Sequence, residues 1–154
     1  MERLSGNFQQ DVRTLDALLG VERSFDMIAR DLIAGGRRCR IWVVDGYGDD
    51  AVIERIVSFL LAQRTTADAH SAQEFIDRYV TFSEVNAEQD VEQALTAVFL
   101  GKTLLLAEGF SSCILIDAKS YPSRGVEEPS SGKVLRGAHD GFIETLVQNA
   151  ALLR

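Results

Sequence analysis

The sequence contains few of the residues that carry most metal and redox chemistry. Its 154 residues include two cysteines and two histidines. Cys39 and Cys113 lie far apart and form no C-x-x-C spacing, so neither a zinc site nor a redox pair is indicated. We predict two buried free thiols in a reducing compartment. A disulfide between them is the alternative.

Long apolar runs are also missing. No window approaches the ~18 apolar residues of a membrane span, and the N-terminus carries no secretory signal. We therefore expect these residues to form a soluble, cytoplasmic domain. The net charge of −7 argues against nucleic acid or an anionic membrane surface as the main partner, since both need a basic face. The local exception is the cluster of Arg37, Arg38 and Arg40, a pattern that usually only solvates the start of a strand.

Apolar residues are plentiful, at 46%, which is enough for a core. Their spacing predicts an α/β fold of two small α/β subdomains, with mixed sheets flanked by helices and a C-terminal connector helix. We expect a flexible N-terminus at 1–13, a first subdomain at 14–68 and a second at 69–154. Predicted helices begin at Ser24, at Asp49 or Asp50, and at Ser71, Asn86 and Ala138. Predicted strands are 39–44, 79–85, 103–107 and 112–116.

One arrangement occurs twice. A helix, a glycine, a strand and an acid–glycine pair follow one another at 24–46 and again at 87–109. In the first copy the predicted helix runs from Ser24 to Ile33, and Gly35-Gly36 ends it. The two pairs, Asp45-Gly46 and Glu108-Gly109, lie 63 residues apart. This repeat suggests a duplication, with coincidence as the alternative, and it marks the two turns as a possible ligand region.

The motif Gly46-Tyr47-Gly48-Asp49-Asp50-Ala51 matches a dinucleotide-binding pattern between a strand and a helix. Its two aspartates would repel a pyrophosphate at the helix N-terminus, however, so a capped turn is the better interpretation. A calcium loop is equally poorly matched, because Tyr47 and Ile56 stand where oxygen ligands are needed.

Nucleophilic catalysis has little support either. The segment Gly109-Phe110-Ser111-Ser112-Cys113 lacks the second glycine of a nucleophile elbow. Only His70 and His139 are available as histidine bases. We therefore predict no enzyme activity, no catalytic residue, no cofactor and no metal site.

The C-terminal third carries the most specific pattern. It contains Arg124-Gly125-Val126-Glu127-Glu128-Pro129, then Arg136-Gly137, then Asp140-Gly141-Phe142-Ile143-Glu144-Thr145-Leu146 and Asn149. This signature resembles the A-subunit family of bacterial spore germinant receptors, the GerA type. The earlier segments Leu19-Gly20-Val21, Ser24-Phe25-Asp26, Gly35-Gly36 and Val44-Asp45-Gly46 resemble the branch called stage V sporulation protein AF. Gly132 departs from the family's glutamate, and Ala138-His139 depart from its Pro-Arg.

The resemblance implies a function. In this family the soluble N-terminal region faces the spore interior and precedes a membrane domain of the spore inner membrane. The chain is then expected to be a non-catalytic regulatory or assembly domain in germination, with a link to ion release. Its partners would be its own membrane domain and other germination subunits, with homo-oligomers only in the full-length membrane form.

The chemistry of the signature residues suggests that they stabilise local structure. Arg124 or Arg136 can pair with Glu127, Glu128 or Glu144, which would pin the irregular segment to the last helix. A structural role and a role in an interface fit these residues equally well. The alternative function is a soluble small-molecule binding module, with a ligand cleft between the two α/β halves.

Overall fold

The structure is a computed structural model that describes residues 2–80, 82 and 84–118. Over that range it contains four helices and five strands. The helices are α1 (Phe8–Leu19), α2 (Asp50–Leu61), α3 (Ala72–Tyr79) and α4 (Val91–Phe99). The strands are β1 (Met27–Ala34), β2 (Arg37–Val44), β3 (Val85–Glu88), β4 (Thr103–Ala107) and β5 (Cys113–Ile116). The predicted α/β class is confirmed. The predicted helix from Ala138 lies outside the described residues.

The five strands form one sheet in the order β1-β2-β4-β5-β3. Every neighbouring pair is antiparallel, whereas mixed sheets were predicted. The predicted antiparallel pairing of β4 with β5 is confirmed. Strands from both predicted subdomains, 14–68 and 69–154, belong to this sheet, because β2 pairs with β4 from Cys39↔Ala107 to Trp42↔Leu104. Dividing the chain between residues 68 and 69 would therefore cut through shared β-pairing.

The prediction of a helix over residues 24–33 is wrong, because these residues contribute β1 instead. Gly35 and Gly36 have φ of 56° and 85°, the positive values that a two-residue type I′ hairpin turn requires at both positions. The turn folds β1 onto β2 in the register Ala34↔Arg37 through Met27↔Val44. The helix–glycine–strand repeat is lost with that helix, since its first copy is a β-hairpin.

Side chains alternate between the two faces of the sheet, and helices cover both faces. On one face, α2 and α3 pack on residues such as Ile41, Leu105 and Ile114 to form the main core. On the other face lie α1 and α4, above the fully buried Trp42 and Leu104. The result is a helix–sheet–helix sandwich with β1 at one edge and β3 at the other.

The helix starts predicted at Asp49 and Ser71 are confirmed. The side chain of Asp49 accepts hydrogen bonds from the backbone N–H groups of Ala51 and Val52. Ser71 Oγ accepts from the N–H of Glu74 at 3.1 Å, as a capping box requires. The carboxylate of Glu74 accepts from the N–H of His70 rather than that of Ser71.

Two predictions between residues 79 and 90 are wrong. The strand predicted at 79–85 is displaced, because α3 continues to Tyr79 and β3 begins only at Val85. The helix predicted from Asn86 begins five residues later, at Val91, with Asp90 as its N-cap. β3 occupies the intervening residues because they pair with β5, from Val85↔Ile116 to Glu88↔Cys113.

The N-terminal residues make specific contacts with later parts of the chain. Leu4 is buried, and its N–H donates to the carbonyl of Gln89 at 3.0 Å. The buried carboxylate of Asp11 accepts hydrogen bonds from Ser5 N, Ser5 Oγ and Gly6 N at 2.8–3.1 Å. α1 begins at Phe8, within the segment 1–13 that was expected to be flexible. Backbone pairing and one buried carboxylate hold this segment in place.

Candidate functional site

The two acid–glycine turns proposed as a ligand region lie at opposite ends of the sheet. Asp45 and Gly46 follow the end of β2, where Asp45 N–H donates to the carbonyl of Asp26 at 2.7 Å. Glu108 and Gly109 follow β4, which runs antiparallel to β2. The N–H of Glu108 donates to the carbonyl of Arg38, near the start of β2, at 2.8 Å. Arg38 and Asp45 lie seven residue steps apart along the chain, which corresponds to roughly 23 Å in a strand. The turns therefore do not form one site.

The side chain of Arg37 connects three separate segments of the chain. Its guanidinium donates to the carbonyl of Glu108 at 2.6 Å and to the carbonyls of Thr66 and Ala69 at 2.7 and 2.9 Å. It also lies 4.5 Å above the ring of Phe110, within the range of a cation–π contact. One arginine thus ties the start of β2 to the α2–α3 connection and to the turn after β4.

The α2–α3 connection lies against the β1–β2 turn. The buried Thr66 hydroxyl donates to the carbonyl of Ala34 at 2.8 Å. A Cβ atom at Gly35 would lie 2.6 Å from the backbone carbon of Thr65. Only glycine therefore permits this close approach of two backbones. The cavity beside this junction, of about 260 Å³, includes Glu108 and Gly109 in its lining.

Arg38 points to the opposite face of the sheet from Arg37. Its guanidinium pairs with the carboxylate of Glu108 at 3.0 Å and lies 5.1 Å from the ring centre of Phe8. The hydrogen bond from Arg38 lowers the pKa of Glu108. Both side chains of the ion pair are more than 40% exposed, so solvent screens the attraction.

Arg40 forms a second polar cluster beneath α1. Its guanidinium pairs with Asp16 at 3.1 Å and with Asp31 at 2.8 Å. The indole N–H of Trp42 donates to the same Asp16 oxygen at 2.7 Å. Partial burial acts to lower the pKa of Arg40, but the hydrogen bonds to Asp31 and Asp16 outweigh it and raise the pKa. A cavity of about 460 Å³ opens beside the cluster, between α1 and the β1–β2 hairpin.

The other candidate groups offer little chemistry. Cys39 and Cys113 are free and buried, as predicted, and burial raises the pKa of each thiol to about 12. His70 is exposed, with Nδ1 4.0 Å from Glu74. Within residues 2–80, 82 and 84–118, no group of His, Cys, Asp and Glu side chains is arranged to hold a metal ion.

The signature residues of the C-terminal third lie outside the described residues. That set comprises Arg124, Glu127, Glu128, Pro129, Arg136, Gly137, Asp140, Gly141, Phe142 and Glu144, together with Gly132, Ala138 and His139. Their roles stay predictions. The arginine cluster was visible in the sequence, whereas its partners Thr66, Phe110 and Asp16 were not, because each comes from a distant segment.

No helix among the described residues combines the length and the apolar character needed to cross a membrane. The fold does have a solved counterpart. The N-terminal domain of the A subunit of the Bacillus megaterium spore germinant receptor GerK3 superposes with a TM-score of 0.64 at 16% identity. The match covers 77% of this chain and 49% of that one.

Sequence comparison gives relatives of known name. Stage V sporulation protein AF of Bacillus subtilis (strain 168) is 30% identical over 137 residues, which is 88% of this chain and 28% of that protein. Spore germination protein B1 of the same organism is 30% identical over 158 residues, which is 99% of this chain and 32% of that protein. The chain thus spans less than a third of either relative. The family model described as Bacillus/Clostridium GerA spore germination protein matches residues 14–154, and the chain belongs to that family.

Proposed function

We propose that these residues form a non-catalytic regulatory or assembly domain of a spore inner-membrane germination protein of the stage V sporulation protein AF type. The observation that carries this proposal is the family match over 14–154, combined with the fold of a germinant-receptor N-terminal domain. The domain would lie on the cytoplasmic, spore-core side, ahead of a membrane domain. Other germination subunits would be its partners.

The chemistry of the described residues supports a role without catalysis. The three arginines at the start of β2 are committed to backbone carbonyls or to carboxylates, and they fasten elements together. The two thiols are kept neutral by burial. These groups stabilise the folded structure, and a stable surface is what a domain needs in order to bind other subunits.

The length of the relatives supports the rest of the proposal. Since the chain spans 28% and 32% of two relatives, each of them has room for a further domain of several hundred residues. The parent gene should therefore encode several apolar stretches of ~20 residues beyond codon 154. An immediate stop codon there would contradict the proposal that a membrane domain follows these residues.

A germination assay tests the role itself. Spores that carry the parent gene with Arg37→Ala, which weakens the fold of this domain, should germinate more slowly after a nutrient is added. The readout is the fall in optical density of the spore suspension. Arg38→Ala is the matched control, because it removes a neighbouring arginine whose ion pair is exposed. Normal germination of Arg37→Ala spores that contain no folded domain would refute a regulatory or assembly role.

A further inference from the structure

The helices that pack on the sheet cover the edge strand β1 only in part, since Leu32 and Ala34 are buried but most of the other β1 residues are not. Two cavities of about 460 Å³ each flank it, one on either face. Ile33 lines the cavity under α1 and is 53% exposed, and Ile28 lines the cavity beside α2 and is 44% exposed. Both faces of β1 therefore leave apolar side chains without full cover.

The register of the hairpin shows which backbone groups face outward. A two-residue turn makes Ala34↔Arg37 a hydrogen-bonded pair, and such pairs recur at every second residue. The N–H and C=O groups of Ala29, Asp31 and Ile33 then point away from β2. Among the described residues no strand pairs with this edge, and no backbone hydrogen bond reaches these three amides.

The charges on β1 disfavour a second copy as the occupant of this edge. Directly opposed residues of an antiparallel pair share a face of the sheet, so a two-fold axis must pass midway between one residue and its own copy. At the centre of the strand the axis would set Arg30 against Arg30 or Asp31 against Asp31, and like charges in direct opposition are destabilising. A strand from another protein, with the opposite order of charges, has no such conflict.

We propose that β1 is a docking edge for an extended segment of a partner protein, which adds a sixth strand to the sheet. The segment carries an acidic residue opposite Arg30, a basic residue opposite Asp31, and apolar residues opposite Ile28 and Ile33. Arg30 has no partner among the described residues, and Asp31 keeps one carboxylate oxygen outside its pair with Arg40. Main-chain hydrogen bonds supply affinity in this mode of recognition, and side chains supply specificity.

This proposal rests on the assembly role for the existence of a partner, but its test is independent of germination. The probe is the synthetic peptide Thr-Val-Thr-Lys-Glu-Thr-Val-Thr, which in antiparallel pairing places its charges and valines as described. The control peptide exchanges Lys and Glu. Both are titrated into the ¹⁵N-labelled chain, and amide hydrogen exchange is followed residue by residue.

The matched peptide should bind roughly tenfold more tightly than the control, because two attractive cross-strand pairs replace two repulsive ones. On binding, exchange should slow at Ala29, Asp31 and Ile33. The variant Arg30→Glu should abolish the preference between the peptides. Arg55→Glu, the same charge change at an exposed position of α2 outside both cavities, should retain it.

Four results would overturn the proposal. They are equal affinity for the two peptides, no binding of either at millimolar concentration, protection of these three amides in the free monomer, and a concentration-dependent dimer protected at the same amides. The third result would mean that the chain covers its own edge, and the fourth would identify a second copy as the occupant. None of the four bears on whether the domain acts in germination.

Discussion

Removing the side chain of Arg37 is the sharpest test of how this fold is held together. In the folded state its guanidinium donates to three backbone carbonyls, those of Thr66, Ala69 and Glu108, at 2.6–2.9 Å. A hydrogen bond to a charged group contributes about 1.5–3 kcal/mol. The site is only partly buried, so water can recover some of the loss after truncation. We therefore expect Arg37→Ala to lower the free energy of unfolding by about 3–5 kcal/mol, a large share of the ~5–15 kcal/mol typical of a domain.

The assay is urea denaturation followed by circular dichroism, with the m-value checked for constancy. Arg37→Lys should recover less than half of the loss, because one ammonium group cannot reproduce the planar fork that serves three acceptors. Arg38→Ala, which breaks an exposed ion pair, should cost less than about 1 kcal/mol. If Arg37→Ala and Arg38→Ala cost the same, Arg37 does not act as a junction between segments and the reasoning fails.

Four further predictions concern individual residues. Gly35→Ala should cost at least about 1–2 kcal/mol more than Gly36→Ala in thermal or urea unfolding, since both have positive φ but only Gly35 meets backbone at 2.6 Å; equal costs would refute the close approach. Asp11→Ala should cost about 2–4 kcal/mol and expose residues 2–7 to rapid proteolysis, because its carboxylate holds two backbone N–H groups and a hydroxyl. Cys39 and Cys113 should resist a thiol reagent at pH 8 until urea unfolds the chain, because the folded-state pKa is about 12 against 9.0 for a free thiol. The same shifts should make stability fall as pH rises above about 9, through preferential ionisation of the unfolded state.

Local signals predicted the elements that depend on local chemistry. Asp49 and Ser71 cap helices in the structure as their side chains suggest, because a cap is decided within three residues. The runs at 39–44 and 103–107 are strands, since four consecutive apolar residues between glycines leave few other options. The resemblance to the GerA family was also available from the sequence, because short motifs survive in order even when overall identity is low.

The errors occurred where distant pairing overrides local spacing. Residues 25–33 place apolar side chains at helical intervals, yet Gly35-Gly36 forms a type I′ turn that pairs the segment with β2. The turn was interpreted as a helix stop, and nothing local distinguishes the two uses of a glycine pair. β3 was misplaced for the same reason, since its position depends on pairing with β5, which begins 25 residues after the last residue of β3. The partners of Arg37 likewise lie 29 to 71 residues away.

The β1–β2 hairpin, whose first strand was predicted as a helix, also supplies the edge strand proposed as a docking site. If residues 24–33 formed a helix, β2 would be the edge strand of the sheet. Its residues Cys39 and Ile41 are buried in the main core. The actual edge is β1, whose outward backbone groups lie between two exposed isoleucines and beside adjacent charges of opposite sign. Adjacent opposite charges discourage pairing with an identical strand and favour a strand with the reverse order. If the domain assembles with other subunits as proposed, such an edge would admit a strand from a partner while disfavouring self-association.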